Sequence, residues 1–120
     1  MAGLMRIIER NVADVTILEL EGRLVLEEGE IPLRNYVNEL VERGRVKILL
    51  DMRKVTRLDS AGIGMLVSKY LSAYRKGGRV KLLHLTIHSG HLMHITKLST
   101  VFEIFESEEE AIRSFGLDPV

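Results

Sequence analysis

Apolar residues along this chain switch between two periods. Short alternating or continuous aliphatic runs separate longer stretches in which apolar positions recur every three or four residues. Leu4 to Glu9 and Val15 to Glu21 read as strands, with Asn11 to Asp14 as a hairpin turn between them. Gly22 is expected to break the second strand. Glu30 to Arg43 reads as a helix, because Leu33, Tyr36, Val37, Leu40 and Val41 fall on one face. Pro32 suits its first turn, and Gly44 is a good stop.

Val46 to Asp51 is a continuous apolar run, as expected of a strand covered on both faces. Met52 to Leu58 reads as a loop. Ser60 to Lys76 reads as a second helix, striped by Ile63, Leu66, Val67, Tyr70, Leu71 and Tyr74, and stopped by Gly77 and Gly78. Val80 to Leu85 reads as a strand, His91 to Leu98 as a short helix and Val101 to Phe105 as a short strand. A last helix is expected over Ser107 to Phe115, with Ser107 and Glu110 as a capping box and Glu108 to Glu110 at the positive end of its dipole. Strands alternating with helices imply right-handed parallel crossovers. The expected fold is a single α/β domain over residues 1–120: a mixed sheet with an N-terminal antiparallel hairpin, parallel strands and about four helices.

Composition narrows the function classes. The 120 residues carry 17 basic and 17 acidic side chains, so no overall positive field draws in nucleic acid, and no direct nucleic-acid partner is expected. The absence of cysteine excludes a disulfide framework, a Cys zinc site and thiol catalysis. Met1 to Arg6 lacks the pattern of a signal peptide, and no apolar run is long enough for a membrane span. A cytoplasmic protein without membrane insertion is expected.

The chemistry concentrates in Leu58-Asp59-Ser60-Ala61-Gly62-Ile63-Gly64. It follows a strand and opens a helix, at the strand end where open α/β sheets meet ligands and partners. Asp59 or Ser60 can cap the helix through its free first-turn N–H groups. Gly62 and Gly64 weaken a helix by about 1 kcal/mol each relative to Ala. Tight packing against the sheet accounts for them, and so does a first turn kept bare for a partner's backbone. A phosphate on Ser60 would add nearly two negative charges at this helix end. A partner packed over the turn would have to bury or oppose that charge, at a cost of several kcal/mol.

Leu49-Leu50-Asp51, the seven residues after it, the Asp59-Ser60-Ala61-Gly62 stretch and Leu66 resemble the core motif of STAS domains, and among them the bacterial anti-sigma-factor antagonists. Glu19 to Leu24, Gly77 to Leu82, and Ile95 to Leu98 through Val101 to Phe105 resemble the family's second strand, its turn into the fourth strand, and its late helix and last strand. The resemblance implies that Ser60 matches a phospho-acceptor serine. The unphosphorylated domain would bind an anti-sigma factor that is also a serine kinase, freeing a sigma factor. Phosphorylation would release the domain, and a PP2C-type phosphatase would reset it. The domain would be no enzyme and would need no cofactor. Asp59, Ser60, Gly62, Ile63 and Met65 would line the docking surface, with Arg23, Leu24 and Val25 alongside. The alternative is a structural STAS subunit of a signalling assembly or lipid-transport system, with Ser60 only a cap.

The chain departs from the family pattern in three places. Val25, followed by Leu26, stands where an acidic residue is usual. Thr86-Ile87 replaces Thr-Pro at the entry to the third helix, and Ser89-Gly90 suggests a late start near His91. All the histidines, His84, His88, His91 and His94, lie in this region. Imidazoles at such spacings suit a zinc ion or a solvated helix face, and the lack of Asp, Glu or Cys in the segment argues for no metal. Arg43, Arg45 and Lys47, and Arg53, Lys54 and Arg57, form two basic groups suited to solvated loops or to orienting an acidic partner, phosphate or nucleotide. Met65 fits either the core or an adaptable partner contact.

Overall fold

A computed structural model describes residues 5–116. Leu4 and Pro119 lie outside the described residues. The elements run β1 (Arg6–Val12), β2 (Val15–Leu24), α1 (Glu30–Glu42), β3 (Lys47–Leu58), α2 (Ser60–Arg75), β4 (Arg79–Leu83), α3 (Ile87–Ile95), a 3-10 turn (Leu98–Thr100), β5 (Ile104–Phe105) and α4 (Glu108–Ser114). They build one five-stranded sheet in the order β1-β2-β3-β4-β5. The β1–β2 hairpin is antiparallel, and the remaining pairs are parallel.

Alternation along the strands divides the core. Leu18, Leu20, Ile48, Leu50 and Met52 face Leu33, Val37 and Leu40 of α1, Leu66 and Ala73 of α2, and Met93 of α3. Val15, Ile17, Leu49 and Leu83 face Ala111 of α4. The run Ile48-Leu49-Leu50 is thus buried on both faces. Burying each such leucine or isoleucine contributes about 1.5–3 kcal/mol. That gain sets the strand's register, because a one-residue slip would exchange its two faces.

Several boundaries differ from the sequence-based expectations. Gly22 does not end β2. It takes φ 130° within the strand, where the β2–β3 register shifts, and β2 runs on to Leu24. Met52 to Leu58 is no loop either. It is the second half of β3, paired as Gly22 with Val55, Arg23 with Arg57 and Leu24 with Leu58. Its charged residues are exposed while Met52, Val55 and Leu58 are buried. The third helix starts at Ile87, not His91, because Thr86 caps it, Oγ1 accepting from the Ser89 N–H at 3.0 Å. Ser107 Oγ caps α4 by accepting from the Glu110 N–H at 3.2 Å. The last strand shortens to Ile104–Phe105.

Candidate functional site

β3 passes into α2 through Asp59 alone. Asp59 has extended backbone and is the N-cap, its Oδ1 accepting from the Gly62 N–H at 3.0 Å. Its Oδ2 accepts from the Leu26 N–H at 3.1 Å. One carboxylate therefore ties the start of α2 to the turn that follows β2. These donors, the Gly62 N–H foremost, hold the Asp59 carboxyl below the ordinary carboxylate range.

With Asp59 as the cap, Ser60 is the first residue inside the helix. It is exposed, and its hydroxyl has no hydrogen-bond partner among the described residues. Gly62 and Gly64 have different reasons to be glycine. A Cβ on Gly62 would stand 2.2 Å from the Leu24 carbonyl oxygen, whereas one on Gly64 would meet open space. Gly62 lets the helix press against the end of β2. Gly64 leaves the exposed face beside Ser60 without a side chain.

The turn after β2 is built tightly. Glu28 N–H donates to Val25 O at 3.1 Å, Gly29 N–H to Arg23 O at 3.0 Å, and Glu27 takes φ 64°. Arg23 is exposed and pairs with Glu28 at 3.2 Å. Leu24 and Val25 are buried, and Leu26 is 60% exposed. Leu26 is therefore the apolar residue that this turn displays.

The structure thus brings Arg23, Leu24, Val25, Asp59, Ser60, Gly62, Ile63 and Met65 to one end of the sheet, in two depths. Leu24, Val25, Gly62 and Met65 are buried and support the surface from beneath. Met65 belongs to the core rather than to an adaptable contact face. Arg23 and Ser60 are exposed, and Asp59 and Ile63 are half-buried. Leu26 and Gly64 complete the accessible surface. Sequence spacing did not separate Leu26 from Val25, because alternation cannot be extended through a strand whose register shifts.

Of the basic groups, Arg45 donates to Thr16 Oγ1 at 2.9 and 3.1 Å, and Lys47 pairs with Asp14 at 2.8 Å, so both brace the β1–β2 hairpin. Arg53, Lys54 and Arg57 are exposed on β3. The histidines separate. His88, His91 and His94 are exposed on α3, while His84 follows β4 and lines a cavity with Arg53 and Asp51. Among the described residues, no group of three or more His, Cys, Asp or Glu side chains is placed to hold a metal ion. Nor is any described helix long and apolar enough to cross a membrane.

The chain is similar to the TM1081 homolog of Thermotoga neapolitana, a candidate anti-sigma factor antagonist. It is 28% identical to it over 101 residues, covering 84% of this chain and 89% of that protein. A structure of a candidate anti-sigma factor antagonist from Thermotoga maritima superposes with a TM-score of 0.85 at 24% identity, over 91% of this chain and 93% of that one. The anti-sigma factor antagonist SpoIIAA in its unphosphorylated form matches with a TM-score of 0.78 at 19% identity, over 91% of this chain and 95% of that one. The STAS domain family model matches residues 7–111. The chain belongs to the STAS domain family.

Proposed function

We propose that this protein is an anti-sigma-factor antagonist. In its unphosphorylated form it binds an anti-sigma factor with serine kinase activity and so frees a sigma factor. Phosphorylation of Ser60 ends that binding, and a PP2C-type phosphatase restores it. The protein is a cytoplasmic binding module rather than a catalyst. The similarity to proteins described as anti-sigma factor antagonists supports the role. The observation that carries the switch is the division of labour between Asp59 and Ser60. Asp59 caps α2, and the exposed Ser60 hydroxyl is left free to accept a phosphoryl group.

The physical effect follows from position. A phosphate on Ser60 sits at the positive end of α2, so the fold tolerates it. Yet the Asp59 carboxylate already takes the Gly62 N–H and is the adjacent residue. The new charge is therefore directed outward, to where a partner would rest against Gly64 and Leu26. Burying it there costs several kcal/mol of binding. Incubation with a cognate anti-sigma kinase and ATP, followed by mass-spectrometric mapping, tests the acceptor. Phosphate on Ser60 supports the reading, and phosphate only elsewhere refutes it.

A further inference from the structure

The sheet face opposite α1, α2 and α3 is only half covered. α4 packs on Val15, Ile17, Leu49 and Leu83. Two residues further along the same strands, Glu19 and Asp51 point to that same face, and they border a cavity of about 210 Å³. It lies beside the carboxyl end of β4 and the middle of β3, with His84 directly after β4 on its rim.

The charges around this cavity are unequally spent. Arg10 donates to Glu19 at 2.7 Å and to Glu108 at 2.6 and 3.2 Å, so these three groups satisfy one another. Lys54 lies 3.6 Å from Glu21. By contrast, the side chains of Arg53 and His84 make no hydrogen bond or ion pair among the described residues, and act on Glu108 only through their field. The Asp51 carboxylate receives only the Arg53 backbone N–H, at 3.0 Å. Two side chains with free donors and one carboxylate with free acceptor capacity therefore share one cavity.

The backbone departs from regular strand geometry at the same place. The register of β2 on β3 shifts between Glu19 and Glu21, a feature that re-aims side chains. His84 takes φ 56°, with its N–H held by Phe105 O at 2.9 Å. A non-glycine residue in this region is strained and persists where the surroundings enforce it, commonly beside binding sites.

We propose that this cavity binds a small zwitterion of the α-amino-acid class, with its carboxylate against Arg53 and His84 and its ammonium against Asp51. A purely anionic ligand would leave Asp51 opposed by like charge, and a purely cationic one would meet Arg53. An apolar ligand would strand charged groups without gain. The space is smaller than the roughly 300–1,000 Å³ of drug-sized sites, which suits a molecule of few heavy atoms.

The test is a two-dimensional NMR titration of the full chain with each common L-α-amino acid. Matched amines and carboxylates carrying only one of the two charges are titrated alongside. At least one amino acid should give saturable shifts centred on Asp51, Arg53 and His84. Its single-charge analogues should bind at least about tenfold more weakly, as expected from losing a charge-assisted hydrogen bond. Arg53→Gln and Asp51→Asn should each weaken binding by about tenfold while the remaining spectrum stays folded. His84→Gly relieves the positive φ, so it should keep the fold and still lose affinity. The proposal is overturned if no amino acid gives saturable shifts, if the shifts centre elsewhere, or if single-charge analogues bind equally well.

Discussion

Gly62 at the start of α2 rests on the carbonyl oxygen of Leu24 at the end of β2, so closely that a Cβ would stand 2.2 Å from it. The contact joins the helix that carries Ser60 to the strand that leads into the Leu26 turn. Gly62→Ala must push the two apart, and it should destabilise the protein by about 1–3 kcal/mol, the usual cost of overpacking. Gly64→Ala meets open space and should stabilise the helix by up to about 1 kcal/mol. Urea unfolding of both variants checks the contrast. Opposite signs are expected, and equal effects would remove the separate roles given to the two glycines.

Asp59 makes the same junction sensitive to acid. Backbone N–H groups hold its carboxyl below the ordinary range, and Arg10 does so for Glu108. A depressed folded-state pKa gives stability that is present above the unfolded value, about 4, and is lost as pH falls through the folded value. Asp59→Ala should cost about 1 kcal/mol near neutral pH. That deficit should shrink in acid, below about pH 4. Denaturation midpoints of the two proteins across this range should converge; parallel curves would contradict the assignment.

Tyr36 should act in the opposite pH direction. Its hydroxyl donates to Glu9 Oε1, and that bond, with burial, pushes the phenol up to about 12. The fold favours the neutral phenol. Its contribution is therefore full below the unfolded value of about 10 and is lost as pH rises toward the folded one. Stability should drop across this alkaline range in the parent protein and less steeply in Tyr36→Phe. The difference between the phenolate absorbance titrations of the parent and Tyr36→Phe gives an independent reading of the same group.

Leu26 is the exposed apolar residue beside Ser60, and surface substitutions of its kind usually change stability by less than about 0.5 kcal/mol. Leu26→Ser should therefore leave the unfolding midpoint almost unchanged. As the one large apolar side chain this turn displays, Leu26 is assigned the role of an interface anchor, the minority of contacts whose truncation costs more than about 1 kcal/mol, so affinity for the anti-sigma partner should drop by about tenfold. Surface plasmon resonance on both proteins separates the two effects. Unchanged affinity would place the docking surface away from this turn.

The strands and helices that bury apolar faces were legible because their periods differ, as in Leu33 to Val41 and Ile48 to Leu50. The second half of β3 was not. Arg53, Lys54, Thr56 and Arg57 occupy its exposed positions, and a strand whose outer face is charged reads as a loop. Thr86 starts α3 through a side-chain hydrogen bond that outweighs the poor helix formers Ser89 and Gly90. At the site, Asp59-Ser60 was recognisable as a helix start, but which residue caps it rests on the Leu26 and Gly62 N–H groups converging on Asp59. The exposure of Leu26 over Val25 depends on the turn around Glu27, whose φ of 64° leaves no trace in hydrophobic pattern. The cavity at Asp51, Arg53 and His84 joins β3 to the residue after β4 and was invisible to spacing along the chain.

The phospho-switch at Ser60 is tested most directly by calorimetric titration of the cognate anti-sigma kinase with two forms of the chain. One is unphosphorylated and the other carries phosphate on Ser60 alone. A difference of several kcal/mol is expected from burying the added charge, so the phosphorylated form should bind at least a hundredfold more weakly, by roughly 2.7 kcal/mol or more. Both forms should keep the same thermal midpoint within a few degrees, because the phosphate lies on the exposed first turn of α2. Equal affinity of the two forms would contradict the switch, and loss of binding accompanied by unfolding would show that the phosphate acts on the fold instead.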